Sequence, residues 1–136
     1  MRPKPSCSRG DVVLVLFPHS DLQSAKTRPA LVVQADDLDT GVAQVIVAMI
    51  SSRMFRAGHP SRVVIAMATP AGRQSGLLGD SVVMADNVAT VAVASVDRVI
   101  GSIPMTAIDQ ALYGPHLIHA RLCLVFLSCA LCLQVP

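Results

Sequence analysis

Apolar residues along this chain fall in short runs, set apart by polar stretches that carry glycine and proline. Residues 11–16 (DVVLVL), ended by Phe17-Pro18, predict a first strand. The polar residues 19–27 predict a long loop. Further strands are predicted over 29–35 (PALVVQA) and 44–50 (QVIVAMI), with Asp36, Asp37, Asp39 and Gly41 turning the chain between them. The run 44–50 is apolar almost throughout, which predicts burial on both faces. Residues 62–68 predict a fourth strand; 53–61 and 69–79, each holding glycine and proline, predict loops. Strands follow over 80–85 (DSVVMA), 88–93 and, after a turn or strand start at 95–98, over 99–103. Pro104 suits the first turn of a helix. Met105, Ile108, Ala111 and Leu112 then recur at helical spacing until Gly114. Five to seven short strands and one late helix make a mainly β fold, a small barrel-like sheet. One domain over 1–113 is expected, with a tail over 114–136.

Composition sharpens this picture. A chain of 136 residues that is 52% hydrophobic and 15% charged can bury a core, which excludes general disorder. It has 9 Arg, 2 Lys, 9 Asp and no Glu; without the usual Glu and Lys coating a helical bundle is disfavoured. Its 19 Val favour strands. A net charge of +2 is too small for a protein that coats nucleic acid, but it leaves room for a local basic site.

The ends are distinctive. Arg2 and Lys4 are followed by Pro5, Arg9 and Asp11, which is no secretory signal, so a cytoplasmic location with reduced thiols is expected. Eleven of the twelve residues 122–133 are apolar, a run too short to span a membrane, where about 20 are needed. Cys123, Cys129 and Cys132 with His116 and His119 are zinc-ligand types, but no charged or turn residues shape a ligand knuckle there, and no metal is expected.

Gly10-Asp11-Val12-Val13, Arg28-Pro29-Ala30, the run 45–52 (VIVAMISS) and Asp80-Ser81-Val82-Val83-Met84-Ala85-Asp86, in this order, resemble the MazF/PemK family of toxins from bacterial toxin–antitoxin pairs. The likeness covers about residues 8–113. It implies an SH3-like β-barrel with a C-terminal helix, a homodimer, and an endoribonuclease that cuts single-stranded RNA at short sequences without metal or cofactor. It also implies a cognate antitoxin that blocks the toxin.

Metal-free RNA cleavage needs a group to take the 2′-OH proton, positive charge on the phosphorane, and a proton for the 5′-oxygen. A guanidinium fork matches phosphate oxygens, and the resemblance places Arg28 in that role. A structural salt bridge is the other role open to Arg28. Where the family usually carries a Thr hydroxyl, Ser51 stands, without the β-branch that restricts χ1. Asp86 matches an acidic residue that one branch uses as base, together with an Arg two residues earlier; here that position is Met84. Holding a loop or a dimer contact is the alternative for Asp86. The same branch carries a His in the first loop where this chain has Leu22, with His19 three residues before. No acidic residue lies between Thr40 and Gly79, an interval that holds Arg53, Arg56, Arg62, Arg73 and His59. Arg53, Arg56 and Arg73, with His19 and Lys26, are the candidate RNA contacts. Aromatic stacking surfaces are scarce, with Phe17 and Phe55 the loop candidates and no Trp, so base specificity is expected to come mainly from backbone and polar contacts.

Two other functions fit a barrel of this class. A gyrase-poisoning toxin would need a C-terminal Trp, and the chain has no Trp. A degenerate member that binds antitoxin or RNA without cutting is consistent with Ser51 and Met84.

Overall fold

The computed structural model describes residues 6–18, 25–36, 38 and 40–113, with Phe17, Pro18 and Ala25 described by backbone alone. Six strands, β1 (Asp11–Pro18), β2 (Ala25–Val32), β3 (Gln44–Ser51), β4 (Arg62–Ile65), β5 (Ser81–Ala92) and β6 (Val96–Ser102), form one sheet in the order β4-β5-β3-β2-β1-β6. Every neighbouring pair is antiparallel. Two helices accompany them: α1 (Pro70–Gln74) and α2 (Thr106–Tyr113).

The central strands are buried on both sides, as the apolar run of β3 predicts. Val12, Leu31, Ala48 and Ile50 point into one core with Ile108, Ala111 and Leu112 of α2. Their alternating neighbours Val13, Val15, Ala30, Val32, Val45 and Val47 form a second core with Val96. Two-sided burial explains why valine and alanine dominate where a one-sided sheet would alternate with polar residues.

Three expectations need correction. The segment 69–79 is not all loop, since Thr69 caps α1 by accepting the Gly72 N–H at 3.1 Å, and Pro70 occupies the first turn. The runs 80–85 and 88–93 belong to one strand, β5, interrupted by a bulge. There the pairing jumps from Ala48 opposite Val88 to Met49 opposite Met84, leaving Ala85, Asp86 and Asn87 outside the ladder with β3. Strand β2 begins at Ala25, inside the predicted loop: Lys26 and Thr27 are exposed, so their polarity conceals a strand paired with β1.

The open sheet curls until the segment after β4 meets the far edge. A Cβ on Gly76 (φ +72°) would run into the Ile100 carbonyl, and one on Gly101 would meet the backbone of Gln74 and Ser75. Close backbone packing therefore joins the α1 region to β6 in place of a hydrogen-bonded ladder. At the start of β1, Gly10 takes φ +92°; its N–H donates to the Val32 carbonyl and its own carbonyl accepts from Ile103, both at 2.9 Å. Arg9 spans from the Val33 carbonyl to the Asp109 carboxylate and so fastens α2 to the sheet. Asp80 accepts the Met67 N–H at 2.8 Å, which gives that acid a structural role. Among the described residues no helix is long and apolar enough to cross a membrane. His19, His116, His119, the tail cysteines and the run 122–133 lie outside the described residues.

Candidate active site

Side chains directly opposite on neighbouring strands share one face of a sheet, so the register assembles the site. Arg28 on β2 lies opposite Val15 on β1. Strands β2 and β3 pair Ala30 with Met49, the last rung of their ladder; two residues further along each strand, Arg28 and Ser51 project from the same face. Ser51 pairs with Val82, and Val82 with Val64. The next row runs Arg62, Met84, Met49, Ala30 and Val13. Both rows lie on the face of the valine-rich second core, at the end where that core gives way to polar groups.

Arg28 is exposed, and no described carboxylate forms an ion pair with it. Lys26, two residues before on the same face, is exposed as well. Ser51 is half-buried, and its Oγ accepts the Arg53 N–H at 3.2 Å. That bond leaves the hydroxyl proton to donate elsewhere. A hydroxyl and an exposed guanidinium on one face of the sheet are groups suited to receive a phosphodiester.

A second cluster begins in the next row of the same face. Asp86, in the β5 bulge, accepts from Arg62 Nη2 at 3.2 Å, while Arg62 Nη1 donates to the Arg56 carbonyl at 2.8 Å. Arg62 therefore joins β5 to the 3-10 turn Met54–Arg56 and is not available as a phosphate ligand. Its place in the acid-free interval suggests otherwise, but Asp86 folds back onto that interval. The cue is the antiparallel pairing of Arg62 with Met84, two residues before Asp86. Met84 is buried, with the Arg56 guanidinium 3.7 Å from its sulfur.

The candidate RNA contacts separate. Arg53 and Arg56 flank the 3-10 turn, which packs on β5. Arg73 sits on α1, which packs on β6, in another part of the barrel. His19 lies outside the described residues. His59 is tied to the hydroxyl of Ser61, 2.6 Å from its Nδ1. Cys7 is half-buried, and burial together with the Asp11 carboxylate pushes its thiol pKa above the ordinary value, so it is no ready nucleophile. Among the described residues no group of His, Cys, Asp and Glu has the makings of a metal site.

The family model for PemK-like, MazF-like toxins of type II toxin–antitoxin systems matches residues 8–114. No curated protein matches the chain. Among solved structures, an endoribonuclease from mycobacterial species is 26% identical, with 78% of this chain and 86% of that one covered and a TM-score of 0.56. A mycobacterial endoribonuclease in complex with its cognate antitoxin is 24% identical over 79% of this chain and 91% of that one, with a TM-score of 0.58. The MazE–MazF complex from Deinococcus radiodurans is 20% identical over 77% and 88%, also with a TM-score of 0.58.

Proposed function

Because this chain belongs to the PemK-like, MazF-like family of type II toxins, we propose that it cleaves single-stranded RNA at short sequences without a metal or cofactor. The observation that carries the proposal is the shared sheet face of Arg28, exposed and without an ion pair among the described residues, and the Ser51 hydroxyl. On this reading the 2′-oxygen attacks the adjacent phosphorus and the bond to the 5′-oxygen breaks. The products are a 2′,3′-cyclic phosphate and a 5′-OH end.

Arg28 holds the charge that builds on the phosphorane oxygens, and Ser51 donates to one of them. Asp86 is a carboxylate that can take the 2′-OH proton. Its bond to Arg62 supports a further duty, holding the turn that carries Arg53 and Arg56. Those two arginines and Lys26 contact flanking phosphates, and His19 and Arg73 are further candidate contacts. The active form is a cytoplasmic homodimer blocked by a cognate antitoxin; residues 1–113 form the toxin domain and 114–136 an appended tail.

The test is cleavage of a long single-stranded RNA in EDTA by the purified protein and by Arg28→Ala, with cut ends mapped for 5′-OH chemistry. Cutting at a recurring short sequence, reduced on the order of a hundredfold or more by the substitution, is expected. Equal cutting by both proteins would remove Arg28 from the site. A folded protein that binds RNA without cutting it would be the degenerate binder that Ser51 and Met84 allow.

A further inference from the structure

The turn after Ser51 presents an aromatic ring to solvent. Phe55 is 79% exposed, although an aromatic side chain gains stability from burial. Its turn is well braced. Arg56 donates its N–H to the Arg53 carbonyl at 3.1 Å, Ala57 to the Met54 carbonyl at 3.0 Å, and Arg53 to Ser51 Oγ at 3.2 Å. From outside the turn, Arg62 holds the Arg56 carbonyl and is itself held by Asp86. The guanidinium of Arg56 lies 5.9 Å from the Phe55 ring centroid.

We propose that Phe55 is a stacking platform for a nucleobase of single-stranded RNA, next to the phosphate held by Arg28 and Ser51. This deepens the ribonuclease reading and rests on it. Three observations favour a nucleobase. The ring stands four residues from Ser51, on a turn tied to that serine by the bond from the Arg53 N–H to Ser51 Oγ, so the ring and the candidate site belong to one connected segment. Its near neighbours along the chain, Arg53, Arg56 and His59, suit a polyanion, and the carboxylate of this cluster, Asp86, is engaged by Arg62. An aromatic side chain has two torsions, so an exposed ring on a braced turn loses little freedom on stacking, and every base offers it a π-face. Arg62 is the positioning residue of this platform, acting through the Arg56 carbonyl.

The absence of Trp from the chain makes the test direct. Phe55→Trp keeps a ring and adds a sole indole reporter, whereas Phe55→Leu keeps the apolar bulk and removes the π-face. Both variants and the unsubstituted protein are titrated by fluorescence anisotropy with a mixed-sequence 2′-O-methyl oligoribonucleotide, which lacks the attacking hydroxyl. An abasic phosphodiester of equal length is the control, and thermal melting checks the fold. Phe55→Leu should weaken oligonucleotide binding on the order of tenfold while leaving the abasic control unchanged. Phe55→Trp should retain binding, with its emission quenched as RNA binds. Unchanged affinity in Phe55→Leu, or unquenched emission in RNA-bound Phe55→Trp, overturns the platform while the ribonuclease reading stands. That result would turn attention to a protein partner for the ring. If the unsubstituted protein neither binds nor cuts RNA, both readings fall together.

Discussion

Two corners of the molecule use one device. At the α2 corner, Arg9 gives one guanidinium nitrogen to the Val33 carbonyl and another to Asp109. At the turn corner, Arg62 gives one to the Arg56 carbonyl and another to Asp86. Each fork ties a backbone carbonyl to a carboxylate far away in sequence. Their surroundings differ. The Arg9 fork holds a helix that buries Ile108, Ala111 and Leu112 in the core. The Arg62 fork holds a turn whose own side chains, Arg53 and Phe55, are exposed. An ion pair alone thus says nothing about function. What it holds still does: a core element in one corner, an exposed cation and an exposed ring in the other.

The strongest blow to the α2 corner comes from the core beneath it. Ile108 is fully buried, so Ile108→Ala should cost about 2–5 kcal/mol of stability, read from denaturant unfolding. RNA cleavage per folded molecule should hardly change. A cost below about 1 kcal/mol would mean that α2 is a loosely attached element, and the contrast between the corners would collapse.

The forks themselves can be set against each other with Arg9→Met and Arg62→Met, which keep much of the apolar stem. Arg9→Met should lower stability by about 1.5–3 kcal/mol, the worth of hydrogen bonds to a charged group, and leave KM for RNA unchanged. Arg62→Met should raise KM on the order of tenfold, because the turn loses its brace, with a smaller effect on kcat. Arg62→Lys, able to make one of the two bonds at a time, should recover part of the loss. Thermal melting and steady-state cleavage of the same preparations decide the matter. Equal stability losses with equal kinetics would reduce the Arg62 fork to a second structural clamp.

The two corners were not equally legible in the sequence. Runs rich in β-branched residues mark the strands, and the 3.6-residue spacing of Ile108, Ala111 and Leu112 marks α2. Helix α1 escapes because it is five residues long and contains Pro70 and Gly72, both ordinarily loop residues. Thr69 before Pro70 is a capping signal, but one masked by the glycines around it. The bulge at Asp86 reads as a gap between strands because Asp and Asn interrupt the apolar run. Arg28 and Ser51 are found through the family motifs. The bond between Arg62 and Asp86 spans 24 positions and depends on the register of β4 against β5, which no local pattern encodes.

The smallest effect concerns Ser51, where the turn corner meets the proposed site. A serine in an extended strand can turn its hydroxyl through three staggered wells, and one β-branch removes much of that freedom. The bond from the Arg53 N–H already restrains Ser51 Oγ, so the remaining gain is modest. Ser51→Thr should raise kcat about threefold, the value of confining one rotor among three wells, with KM unchanged. The added methyl would sit in the strand position opposite Val82, where a β-branched residue is at home. Single-turnover cleavage at saturating enzyme measures this step apart from product release. A fall in rate on Ser51→Thr would mean that the hydroxyl must rotate during the reaction, and the Arg53 bond would then restrain Ser51 against its chemistry.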